Sequence, residues 1–110
     1  MVTVLVLDDE PRVVDLLTMM LQARGHSVVG ARRWDAALLD TRYDAALVDW
    51  HLGNDDGRLA AERLVTGGLD RSRVAVMSGQ RGPDPGPYRL WAKPFSLADV
   101  ASWVESLGPR

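Results

Sequence analysis

Five polar residues break otherwise apolar runs. Asp8 and Asp9 follow Val2–Leu7, Asp49 follows Ala45–Val48, Ser78 follows Val74–Met77, and Lys93 follows Leu90–Ala92. Asp8, Asp9 and Asp49 supply three carboxylates, which are hard oxygen ligands. A small divalent cation such as Mg2+ takes one or two carboxylates, keeps waters and shares its remaining positions with phosphate oxygens. A carboxylate is also a nucleophile that forms an acyl phosphate. An incoming phosphoryl group needs positive charge and hydrogen-bond donors, which the cation, the Lys93 ammonium and the Ser78 hydroxyl would supply. Lysine suits that role as a compact point charge, where arginine's wide planar fork would fit poorly. Of thirteen basic residues twelve are arginine, and Lys93 is the one lysine.

Each of these residues has a plainer reading when taken alone. An acidic pair after a strand complements the dipole of the next helix. Asp49 and Ser78 are ordinary turn residues, and an isolated lysine is usually solvated. The conjunction is what carries the chemistry: four strand ends in this order are hard to assign to turns alone.

The elements that must position these residues follow from the hydropathy pattern. Val2–Leu7 reads as a strand buried on both faces. Pro11 suits the first turn of a helix, whose apolar stripe is Val13, Leu16, Leu17, Met20 and Leu21, with Gly25 as its stop. Residues 27–29 read as a short strand and 34–41 as a short helix. Residues 45–48 read as a strand, 53–57 as a polar turn, and 58–65 as a helix closed by Gly67-Gly68. Residues 74–77 and 89–92 read as strands. Between them, residues 79–88 carry three glycines and three prolines, which makes a helix there unfavourable. Ser96 and Asp99 form a capping-box-like start to a last helix, with Leu97, Val100, Ala101, Val104 and Leu107 as its stripe. Such alternation predicts an α/β domain, a doubly wound parallel sheet with helices on both faces. In that architecture ligands bind outside the carboxyl ends of the strands, so all five polar residues converge on one rim.

Composition bounds the remaining possibilities. A chain of 110 residues is expected to form a single domain, residues 1–110, with a radius of gyration of roughly 13 Å. The absence of cysteine excludes disulfides and thiolate metal sites. A net charge of −2 argues against a general nucleic-acid binder, so no direct nucleic-acid partner is expected. No apolar run reaches the roughly 18 residues of a membrane span, and the first strand starts too early for a signal peptide. No membrane association and a cytoplasmic location are therefore expected. His26 and His51 are too isolated for a histidine metal site. Trp34 and Trp103 read as packing residues, Arg32-Arg33 as a solvated corner, and Trp50 as a reporter of events at Asp49.

On these residues the chain resembles the receiver domains of bacterial two-component response regulators, of the CheY-like type. The resemblance covers essentially the whole chain. It rests on Asp8-Asp9-Glu10, Asp49, Leu52, Gly57, Ser78 and Lys93-Pro94-Phe95. It implies a flavodoxin-like sheet of order 2-1-3-4-5 with five helices. It implies that Asp49 accepts a phosphoryl group from a histidine kinase or phosphotransfer protein, with Mg2+ as cofactor. Asp8, Asp9, Asp49 and the backbone carbonyl of His51 would be the metal ligands, while Ser78 and Lys93 would contact the phosphoryl oxygens. It implies a cis Lys93–Pro94 bond, a downstream protein partner that reads the switch, and a fold that can form a homodimer. The protein would not be an enzyme in the ordinary sense, because it transfers a phosphoryl group only to and from its own Asp49.

Three departures from the family pattern stand out. Gly53 replaces a proline. Leu90 occupies the place of the switch aromatic, which makes Ser78, Tyr88 and Leu90 the switch candidates, with Tyr88 the better stand-in. Only residues 79–92 separate Ser78 from Lys93, so the fourth helix is expected to be missing or degenerate. About a dozen residues still suffice for a parallel crossover. The sheet uncovered by that loss would be covered by Trp91 or by a partner chain. Two other functions compete: a pseudo-receiver that binds partners independently of phosphorylation, and an aspartate-nucleophile phosphatase. The phosphatase is disfavoured because neither Asp8-Asp9-Glu10 nor Asp49-Trp50-His51 has a second aspartate two residues after the first.

Overall fold

In the computed structural model, which describes residues 1–53, 55–79 and 85–110, each apolar run forms a strand. The strands are β1 (Thr3–Leu7), β2 (Ser27–Ala31), β3 (Ala45–Asp49), β6 (Val74–Ser78) and β7 (Arg89–Ala92), with a two-strand ribbon of β4 (His51–Leu52) and β5 (Asp55–Asp56) between β3 and β6. The five long strands form one parallel sheet of order β2-β1-β3-β6-β7, which is 2-1-3-4-5 when they are counted along the chain. β1, β3 and β6 are buried on both faces apart from Thr3, as continuous apolar runs require.

Three α-helices cover the sheet among the described residues: α1 (Pro11–Ala23), α2 (Gly57–Thr66) and α3 (Leu97–Leu107). Pro11 starts α1, Asp56 accepts from the Arg58 N–H to cap α2, and Ser96 accepts from the Asp99 N–H to cap α3. Right-handed crossovers decide the layers. The chain moves one way from β1 to β2 and the opposite way from β3 through β6 to β7. α1 and α3 therefore bury Val4, Val6, Leu47 and Met77 on one face, and α2 buries Leu5, Leu7, Val48 and Val76 on the other. The radius of gyration is 12.4 Å, close to expectation.

Three expectations need correction. The helix expected over residues 34–41 is a 3-10 turn, Ala36–Asp40, and a second 3-10 turn spans Arg71–Arg73. The first turn is short because Asp35 caps it, Thr41 is already extended, and the buried Tyr43 donates its hydroxyl to the Leu38 carbonyl at 2.6 Å. The chain must then enter β3. The resemblance implied five helices, but the described residues hold three α-helices and these two turns. Trp91 does not cover the face left by a fourth helix. It packs on the α1/α3 side, edge-on to Trp103 at 6.5 Å. Tyr88, 8% exposed, packs on the α2 side instead. The fourth-helix segment falls largely on residues 80–84, outside the described residues. The flanking residues 79 and 85–88 are not helical.

At the end of the sheet opposite the polar rim, Arg73 donates to the carbonyls of Asp44 at 3.1 Å, Gly108 at 2.8 Å and Leu107 at 3.2 Å. It ties the C-terminal end of α3 to the start of β3. Arg73→Ala leaves three carbonyls short of a donor in a half-buried place, so it should cost about 1–3 kcal/mol. A urea midpoint unchanged from the parent would contradict this.

Candidate functional site

The rim residues expected from sequence meet at the carboxyl ends of β1, β3, β6 and β7. Asp8 follows β1 and is fully buried. One of its oxygens accepts from the Glu10 N–H at 2.9 Å, and the other accepts from Lys93 Nζ at 2.8 Å. Asp49 closes β3 and is 5% exposed. Its Oδ1 accepts from the His51 N–H at 3.2 Å, and its Oδ2 lies 3.5 Å from Lys93 Nζ. Asp9 is exposed beside them. Ser78 ends β6, is buried, and its carbonyl accepts from the Lys93 N–H at 2.8 Å. The Lys93–Pro94 bond is cis. The strand order explains the convergence: β1 and β3 are neighbours, and the chain switches direction at that point.

Charge is unbalanced at this rim. Three carboxylates face one ammonium, and oxygens of Asp8, Asp9 and Asp49 all lie within 4.8 Å of one another. Hard oxygen donors at that spacing fit a small divalent cation, whose ligands sit about 2.0–2.6 Å from it. Burial, first, and the neighbouring Asp8 carboxylate push the Asp49 carboxyl up to about 7, against the opposing pull of the His51 N–H and Lys93. Burial pulls the Lys93 ammonium down, but its hydrogen bond to Asp8 and the charges of Asp8, Asp49 and Glu10 together outweigh that and raise it overall. The backbone carbonyl of His51, the fourth expected metal ligand, belongs to β4.

Asp49 is a more reluctant acid in the folded chain than in the unfolded one. Its contribution to the stability of the metal-free fold is present at low pH and is lost as pH rises through about 7. A divalent cation favours the ionised form. Mg2+ should therefore raise the thermal midpoint more above about pH 7 than below it. Equal shifts on both sides would contradict this.

The switch candidates divide. Leu90 lies opposite Val76 on the face that Ser78 also uses, and it is 43% exposed. Tyr88, just before β7, is buried in the α2-side core instead of standing at the rim. Sequence reading also did not anticipate how closely Gly57 approaches Asp49: a Cβ at Gly57 would lie 1.9 Å from the Asp49 carbonyl oxygen. No sequence signal encodes that distance, although a glycine opening a helix hints at close packing.

No family model matches the chain. The transcriptional regulatory protein TcrA of Mycobacterium tuberculosis is 33% identical over 118 aligned positions, covering 99% of this chain and 47% of that protein. The chain thus spans about half the length of the curated relatives it matches. Among solved structures, the response regulator TrrA of Thermotoga maritima, in complex with Mg2+ and BeF, superposes with a TM-score of 0.83 at 21% identity, covering 98% of this chain and 100% of that one. The signal receiver domain of a modulated diguanylate cyclase from Desulfovibrio desulfuricans gives 0.82 at 23% identity, covering 97% and 93%. A response regulator from Burkholderia pseudomallei, holding a phosphorylated aspartic acid, a calcium ion and citrate, gives 0.76 at 24% identity, covering 94% and 71%.

Proposed function

The chain is a receiver domain of the CheY-like response-regulator type, and we propose that it takes a phosphoryl group onto Asp49 from a histidine kinase or phosphotransfer protein and relays the change of state to a downstream protein. Residues 1–110 act as one domain in this reading, and the setting is the cytoplasm. The observation that carries it is the rim itself: a buried carboxylate with Lys93 Nζ 3.5 Å away and two further carboxylates within 4.8 Å. Solved relatives of the same fold hold Mg2+ with BeF, or a phosphorylated aspartic acid.

In the transfer, an Asp49 carboxylate oxygen forms a bond to phosphorus as the bond from phosphorus to the donor nitrogen breaks, and the imidazole leaves with the electron pair. Asp8, Asp9, Asp49 and the His51 carbonyl would hold Mg2+, which supplies positive charge to the phosphoryl oxygens. Lys93 supplies a second positive charge, held in place by Asp8. Ser78 offers a hydroxyl from the end of β6. Phosphorylation then biases an existing equilibrium between two states, and a partner reads the outcome. The chemistry is self-directed, so no external substrate is turned over.

Mass spectrometry after incubation with Mg2+ and a small phosphodonor tests this reading. The expected result is a labile adduct of one phosphoryl group on Asp49. The exposed Leu90 favours a second reading, a partner-binding module that works without phosphorylation. Failure to form any adduct, with partner binding intact, would select that module instead.

A further inference from the structure

On the α2 face, where a fourth helix would lie, a cleft of about 470 Å3 opens between α2 and the segment leading into β7. Its floor includes Trp50 and Tyr88, each 8% exposed, with Pro87 at the side. Its rim carries Arg58 and Arg71, and among the described residues Glu62 is the one acidic residue lining it. Arg58 Nε is 3.3 Å from Glu62 Oε1, which leaves Arg71 as the surplus positive charge, with no salt bridge among the described residues. This rim is cationic on a chain whose net charge is −2. Volumes of about 300–1,000 Å3, an aromatic lining and a few polar groups are the usual attributes of small-ligand sites.

We propose that this cleft is a binding site for a small aromatic anion: a flat ring system bearing a carboxylate, sulfonate or phosphate. The ring would sit against Trp50, Tyr88 and Pro87, and the anionic group would meet Arg71, with Arg58 as a second donor. The Tyr88 hydroxyl belongs to this same polar group. Burial raises its pKa first, Glu62 adds to the rise, and Arg71 and Arg58 oppose it. The site does not depend on transfer to Asp49, and it can be tested without any phosphodonor. Its floor residue Trp50 directly follows Asp49, so an occupant would touch the turn that carries the acceptor.

Naphthalene-2-sulfonate is a suitable probe, because it is an aromatic anion that cannot phosphorylate Asp49. Titration into the full chain, followed by assigned two-dimensional NMR, should give saturable shifts at the Trp50 indole and around Tyr88. Arg71→Gln, at an exposed position that leaves the core intact, should weaken binding about tenfold. Neutral 2-naphthol should bind correspondingly less well. The proposal is overturned by the absence of saturable shifts, by shifts mapping to the α1 groove around Leu16, or by equal affinity in Arg71→Gln and for 2-naphthol.

Discussion

Asp49→Asn is expected to abolish phosphoryl transfer to the chain while making the metal-free fold more stable. The amide keeps the shape of the carboxylate and can still accept from the His51 N–H, now at 3.2 Å. It has lost the anionic nucleophile. Asp8 cannot substitute, because it is fully buried, with one oxygen engaged by the Glu10 N–H and the other by Lys93. Asp9 is exposed, and an adduct persisting on Asp9 would overturn the assignment of the acceptor.

The stability change has a definite pH profile. Below the ordinary aspartate range both chains carry a neutral group at this position, and they should differ little. As pH rises through about 7, the parent must ionise a buried carboxyl beside Asp8, and the variant need not. The variant's urea midpoint should therefore exceed the parent's, by a margin that grows up to about pH 7 and then levels off. Mg2+ reverses the order, because the variant has lost one of three carboxylates. Its Mg2+ affinity should fall on the order of tenfold or more, about 1.4 kcal/mol per decade. A variant that is less stable than the parent without metal, at every pH, would show that Asp49 is better solvated than its burial implies.

What the sequence made legible was the rim, for a physical reason. A strand buried on both faces must be apolar along its length, so the first polar residue marks where it leaves the sheet. Asp8, Asp49, Ser78 and Lys93 are all read that way, and the strand order places them together. Interactions between segments distant in sequence were not legible. Nothing local says that Arg73 binds the carbonyls of Leu107 and Gly108. Residues 34–41 have helical periodicity, yet Tyr43 must reach back to Leu38 and the chain must turn into β3, so a 3-10 turn forms instead. Strand alternation correctly paired Tyr88 with Leu90 on one face, but it could not say that Tyr88 turns into the core while Leu90 stays open. Trp91 was one of two candidates, with a partner chain, to cover the uncovered sheet. Its place opposite Met77 puts it on the other face, and that register is a property of the sheet, not of residues 89–92 alone.

Gly57→Ala is expected to be the most damaging single methyl in the chain. The added Cβ would lie 1.9 Å from the Asp49 carbonyl oxygen, 2.8 Å from its carbonyl carbon and 2.8 Å from the Trp50 Cα. All three are backbone atoms, so no side-chain rotation relieves the overlap. The Gly57 N–H also donates to the Trp50 carbonyl at 3.2 Å, which pins the start of α2 against the end of β3. Relief requires α2 to move away, drawing Ala60, Ala61 and Leu64 out of the α2-side core. Overpacking against a fixed backbone, with loss of those contacts, should cost about 3–5 kcal/mol. For a domain of ordinary stability, about 5–15 kcal/mol, that is enough to leave it partly unfolded when warmed. Gly25→Ala provides the comparison. Its φ of +87° is unsuited to alanine, a strain that Gly57 does not carry, but nothing lies within 4 Å of the added Cβ, so it should cost only about 1 kcal/mol. A Gly57→Ala midpoint no lower than that of Gly25→Ala would mean that the turn after Asp49 can open at little cost. A rim resting on that turn would then not hold the acceptor rigidly enough to face Lys93.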